Sequence, residues 1–141
     1  MATKRIARAH WEGSLMEGKG TVNLESSGVG AFDVTWPSRA EEPNGRTSPE
    51  ELIAAAHSAC FAMALSNGLS KAGSVPTALD TSAEVSFQAG KGITGIALTV
   101  RGQVPGMSED DFKAAADDAK ANCPVSQALA GTTITLDAAL A

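Results

Sequence analysis

Ser48-Pro49-Glu50-Glu51-Leu52-Ile53-Ala54-Ala55-Ala56-His57-Ser58-Ala59-Cys60-Phe61 is the stretch on which the reading of this chain turns. It opens as helices open, with a serine N-cap, proline at the first helical position and Glu51 at the capping-box position. The pattern runs on to Ala72, and Gly73 and Pro76 mark its stop. The helix therefore spans about 24 residues, or roughly 36 Å at 1.5 Å per residue. Ala54, Ala55, Ala56, Ser58, Ala59, Ala62 and Ala64 put small side chains on nearly every face. That predicts a central helix, buried among other elements.

Upstream, three short segments alternate as strands do. Ala7, Ala9 and Trp11 share one phase, Val22 and Leu24 another, and Phe32, Val34 and Trp36 a third, with glycines 13, 18, 20, 28 and 30 supplying turns. The pattern predicts an antiparallel meander. From Pro37 to Thr47 the chain is crowded with turn residues and charges, which predicts a loop. Downstream, Leu79, Thr81, Ala83, Val85 and Phe87 form one alternating face and Ile96, Leu98 and Val100 another, joined by Ala-Gly-Lys-Gly as a hairpin. Ser108 to Asp111 opens a second helix with acids in its first turn and an apolar stripe of Phe112, Ala115, Ala116 and Ala119, ending near Asn122. Cys123-Pro124 starts a short helical turn through Ala130, and Ile134, Leu136, Ala138 and Leu140 close the chain as a strand. No repeat or linker interrupts the 141 residues, a length that suits a single domain, 1–141.

The composition excludes several classes of function. A net charge of −5 without any Lys/Arg cluster is not a nucleic-acid surface, which needs a concentrated basic footprint. Met1–Arg8 holds three basic residues but no apolar run behind them, so it reads as neither a signal nor a transit peptide. No window approaches a membrane-spanning length, and no membrane partner is expected. The expected home is the cytosol, where thiols are kept reduced and two cysteines are either free or a working redox pair.

Those cysteines carry the chemistry. Each alone reads first as a small core residue. At a helix start, the sulfur of Cys123 faces unpaired backbone N–H groups, which favour its thiolate. Cys60, in a helix interior, has no such help and needs a cation from elsewhere in the fold. Arg39 and Arg46, on the charged loop, are the nearest in sequence. Glu51 accounts for the cap, which leaves Glu50 available for another task. His57 lies three residues before Cys60 on an adjacent part of the helix surface, where it is either a base for the thiol or a buried, hydrogen-bonded histidine. His10 reads as a strand-surface residue.

Pro49 through Phe61, followed much later by Cys123-Pro124-Val125-Ser126, resembles the OsmC/Ohr family of organic hydroperoxide reductases. The resemblance extends to Ala9-His10-Trp11-Glu12-Gly13, Gly18-Lys19-Gly20-Thr21-Val22 and Ile134-Thr135-Leu136-Asp137, and so covers essentially the whole chain; its two ends are similar to the OsmC (osmotically inducible protein C) branch. It implies an α+β intertwined homodimer, with curved antiparallel sheets around two long central helices and active sites at the subunit interface. It implies that Cys60 is the peroxidatic cysteine and Cys123 the resolving one, with Arg39 and Glu50 holding the thiolate. Arg46 lies in the same loop as Arg39 and is the other candidate. No cofactor and no metal are implied.

Ten helical residues separate Glu50 from Cys60, about 15 Å along the axis. If both act on one peroxide, Glu50 comes from a partner subunit or the helix is broken. The expected cycle attacks a hydroperoxide through Cys60, passes through a sulfenic acid, closes a Cys60–Cys123 disulfide and is reset by an external dithiol. In relatives that reductant can be a dihydrolipoyl group. Phe61, Met63 and Leu65 are expected to line an apolar pocket beside Cys60. Two other classes stay open: a non-catalytic module binding a small molecule on the same fold, and a metal protein using Cys60, Cys123 and His57, a set whose ligand types suit zinc.

Overall fold

A computed structural model describes residues 1–141 and divides into two compact units, Met1–Leu52 and Ile53–Ala141. The first holds the predicted meander: β1 (Arg8–Glu12), β2 (Lys19–Asn23) and β3 (Ala31–Val34) form an antiparallel sheet in that order. Trp11 pairs with Gly20 across β1 and β2. A Cβ at Gly20 would stand 2.7 Å from the Trp11 ring, so only glycine lets the indole lie across the neighbouring strand.

The segment expected to be loop from Pro37 to Thr47 begins instead with a helix, α1 (Trp36–Ala40). Its origin is a capping box: Thr35 Oγ1 accepts from the Ser38 N–H at 3.1 Å, and Ser38 Oγ accepts from the Thr35 N–H at 3.0 Å. Trp36, expected to extend the third strand, is thereby turned into the helix. Beyond it, Asn44 and Gly45 both take left-handed backbone and return the chain to Ser48.

The long helix, α2 (Pro49–Lys71), starts where expected, with Ser48 Oγ accepting from the Glu51 N–H at 3.1 Å. The Glu51 carboxylate does not close the box; it accepts from Thr47 Oγ1 at 2.6 Å. By length and composition α2 is apolar enough to cross a membrane, with mean hydropathy 1.4 over its best 18 residues, a window the sequence reading did not anticipate. The hydropathy comes from many small alanines. Of its larger apolar side chains, Phe61, Leu65 and Leu69 are fully withdrawn into the core, whereas Met63 is exposed.

In the second unit β4 (Ala78–Gln88), β5 (Gly92–Gln103) and β6 (Ile134–Leu140) make a sheet in that order. β4 and β5 are the predicted hairpin. β5 and β6 pair in parallel, Ile96 with Ile134 and Leu98 with Leu136, so this sheet is mixed rather than wholly antiparallel. The physical reason is the connection: α3 (Glu109–Asn122) and α4 (Pro124–Ala128) form a crossover long enough to bring the chain back in the same direction. Phe61, Leu65 and Leu69 join Ile96, Leu98, Val100, Phe112 and Ala116 in one buried cluster. The i, i+4, i+8 stripe on α2 thus meets the alternating face of β5. His57 continues that stripe one turn back, and Cys60 and Ala64 pack beside it. Ala55, Ala56 and Ala59 are exposed, whereas the sequence suggested burial on nearly every face.

Candidate active site

Cys123 closes one helix and opens another. Its N–H donates to Ala119 O at 2.9 Å at the end of α3, and its sulfur accepts from the Ser126 N–H at 3.3 Å at the start of α4. Pro124, which has no N–H to satisfy, fills the first helical position. The thiol also reaches Ser126 Oγ at 3.2 Å, and that hydroxyl lies 2.7 Å from His57 Nε2. Cys123, Ser126 and His57 are 0%, 4% and 0% exposed.

Cys60, on α2, lies close enough to Cys123 for each sulfur to shift the other's acidity, and neither is in a disulfide. The two thiols are unequal. Burial pushes the Cys60 thiol up; a bond from the Val125 N–H partly opposes this, and the Cys123 sulfur raises it further. Burial also pushes Cys123 up, but the Ser126 hydroxyl, the Ser126 N–H, the Cys60 thiol and the Val125 N–H outweigh it, so Cys123 lies below the ordinary thiol value. Burial lowers His57, which favours neutral imidazole.

The first unit holds a second cluster. Arg39, at the end of α1, donates to Glu50 through Nη2 at 2.8 Å and Nε at 3.0 Å, a two-armed ion pair with the carboxylate side chain 8% exposed. Arg46 instead reaches only the Asn44 carbonyl, at 3.5 Å, on the surface. Of the two arginines left open by the sequence, Arg39 is therefore the one joined to Glu50. Beside this pair is a mainly apolar cleft of about 570 Å³ whose walls include Trp11, Leu15, Val34, Trp36 and Leu52, with Arg39 as its charged member.

One expectation changes, and His57 takes the second of its two readings, a buried, hydrogen-bonded histidine. Phe61 and Leu65 do not line a pocket at Cys60, because they belong to the α2 stripe that fills the core, and Met63 on the opposite side is 72% exposed. His57 is bonded to Ser126, so a direct Cys60–His57 pair is not the contact made. Ser126 carried no role in the sequence reading, although its place three residues after Cys123 is the position a helix cap addresses. His10 lies on the strand surface, 3.2 Å from Glu12. No group of three or more His, Cys, Asp or Glu side chains is arranged to hold a metal ion.

Two neighbouring thiols of unequal acidity, one buried and one partly exposed, on an α+β frame, are the equipment of a protein that works by thiol–disulfide chemistry. The chain belongs to the OsmC family: the model of OsmC-like proteins matches residues 42–137. Peroxiredoxin OsmC of Escherichia coli (strain K12) is 47% identical over 140 residues, covering 97% of this chain and 96% of that protein. Among solved structures, an organic hydroperoxide resistance protein from Elizabethkingia anophelis superposes with a TM-score of 0.71 at 25% identity, over 100% of both chains. A protein of Legionella pneumophila described as an organic hydroperoxide resistance protein OsmC gives a TM-score of 0.73 at 23% identity, covering 99% of this chain and 98% of that one, and supports the fold.

Proposed function

We propose that this protein is a two-cysteine peroxidase that reduces organic hydroperoxides to alcohols, with Cys60 as the attacking thiolate and Cys123 as its resolving partner. The observation that carries the reading is that the Cys60 and Cys123 thiols, 63 positions apart in sequence, come close enough to shift each other's acidity. Cys60 sulfur attacks the distal peroxide oxygen, the O–O bond breaks, and the alkoxide leaves and is protonated to the alcohol. Cys60 is left as a sulfenic acid. Cys123 sulfur then displaces its hydroxyl as water, forming the disulfide. An external dithiol, of which a protein-bound dihydrolipoyl group is an example, takes the sulfurs back to thiols.

The acidity order defines what the cycle lacks within one chain, because the influences on Cys60 include no cation. The Arg39 guanidinium, already oriented by Glu50, is suited to that task. Since Glu50 and Cys60 are ten residues apart on one helix, the pair serves the thiol of a second copy, and the two units of each chain act as one domain within a homodimer. The exposed alanine face of α2 and the apolar cleft at Arg39 fit that arrangement, the cleft taking the alkyl group. A cytoplasmic location suits the reduced thiols.

Titration of thiols before and after one equivalent of tert-butyl hydroperoxide, with a peptide map, tests the reading. Wild type is expected to lose both thiols to a Cys60–Cys123 disulfide, Cys60→Ser to remain unreacted at Cys123, and Cys123→Ser to overoxidise at Cys60. Two unchanged thiols in folded wild type would favour a binding module on the same fold.

A further inference from the structure

The resolving thiol must lose its proton in a place that water does not reach. Cys123 Sγ, Ser126 Oγ and His57 Nε2 stand in sequence at 3.2 and 2.7 Å, all buried within residues 53–141. The other ring nitrogen, His57 Nδ1, is buried and has no protein partner that would lock the tautomer. An imidazole placed for packing alone is ordinarily tied down at both nitrogens when buried. This one is tied only toward the thiol.

We propose that His57, acting through the Ser126 hydroxyl, accepts the Cys123 proton during disulfide closure and returns it to the departing hydroxide. This rests on the peroxidase reading above. With the ring proton on Nδ1, Nε2 accepts from the Ser126 hydroxyl, whose oxygen accepts from the Cys123 thiol, the direction in which the thiol points. One concerted shift moves the thiol proton to Oγ and the hydroxyl proton to Nε2. It leaves an imidazolium and a thiolate held by the Ser126 O–H and N–H. The thiolate attacks the Cys60 sulfur; the S–S bond forms, the S–O bond breaks and hydroxide departs. The relay then runs backward, Nε2 to Oγ and Oγ to hydroxide, which leaves as water. The sum is sulfenic acid plus thiol to disulfide plus water, with no further oxidant. Ser126 touches the reacting sulfur and is catalytic, whereas His57 is a positioning residue that works through it. The groups acting on the thiols are each other, the Ser126 hydroxyl and the backbone of Val125 and Ser126, and His57 is buried and faces the Ser126 hydroxyl.

The test separates attack from closure. Wild type, Ser126→Ala, Ser126→Thr and His57→Gln are mixed with one equivalent of tert-butyl hydroperoxide, quenched at intervals and weighed for sulfenic acid and disulfide, from pH 6 to 9. Removing the hydroxyl or the imidazole is expected to slow closure relative to Cys60 oxidation by about ten-fold or more, and to make closure rise with pH where wild type is flat. Threonine, which keeps the hydroxyl, should restore most of the rate. Because the chain has two histidines, the ring nitrogens of His57 can be followed in wild type by ¹⁵N resonance and should change protonation or tautomer between thiol and disulfide forms. That measurement stands even where His57→Gln does not fold. Closure in Ser126→Ala at the wild-type rate and pH profile, or identical His57 resonances in both redox forms, would overturn the relay while leaving the peroxidase intact. Failure of wild type to form any disulfide would overturn both.

Discussion

Arg39 and Glu50 are worth most through what each would leave behind. Glu50 is 6% exposed, so removing its partner strands a carboxylate in a poorly solvated place. Arg39→Ala is expected to lower the unfolding free energy by about 2 kcal/mol, measured by urea denaturation, with a smaller loss in Arg39→Lys, which keeps the charge but not the two-armed geometry. The same change bears on pH. The reactive form of Cys60 is its thiolate, present above the pKa, and burial together with Cys123 pushes that pKa up. Without the guanidinium, Cys60 oxidation should therefore climb only toward alkaline pH, whereas wild type should already be fast near neutrality; stopped-flow rates from pH 6 to 10 read the difference. At this scale the sequence disclosed the two cysteines and narrowed the arginine to two. It could not choose between Arg39 and Arg46, because the choice depends on the turn of α1, and it did not disclose Ser126, whose partner His57 lies 69 positions away.

The elements hold two close fits that can be tested by single atoms. A Cβ on Gly102 in β5 would meet the Phe112 ring of α3 at 2.5 Å. Gly102→Ala is expected to cost about 1–3 kcal/mol through overpacking, seen as a lower midpoint in thermal or urea unfolding. Thr35→Ala removes the hydroxyl that caps α1 and should cost about 1 kcal/mol. It should also reduce peroxide turnover, since α1 carries Arg39 into its pair. Elements with strong local signals were legible from sequence: α2 from its serine cap and proline, α3 from Ser108 and its acids, and the β4–β5 hairpin from its alternation. α1 was not, because its four-residue capping box straddles the end of an alternating strand pattern and a stretch that composition assigns to loop. The parallel β5–β6 pairing was not either, since it depends on a crossover and not on neighbouring residues.

For the whole molecule, the proposed exchange of Arg39 and Glu50 between copies makes a sharp expectation. Cys60→Ser and Glu50→Gln are each expected to be nearly inactive. Mixed and allowed to exchange subunits, they form heterodimers in which one site carries an intact Cys60 from one chain and an intact Glu50 from the other. Random exchange puts half of the molecules in that form with one working site of two, so activity should return to about a quarter of wild type. No recovery after exchange verified by mass would place both groups in one chain and remove the reason for the dimer.

Cys123 serves as the last residue of one helix and the cap of the next, and chemistry consumes the atom that does the capping. A thiol sulfur, and still more a thiolate, accepts the Ser126 N–H better than a disulfide sulfur does. If Cys123 closes a disulfide, the first turn of α4 is expected to loosen, and the Ser126 amide should exchange its hydrogen with solvent faster in oxidised protein than in reduced.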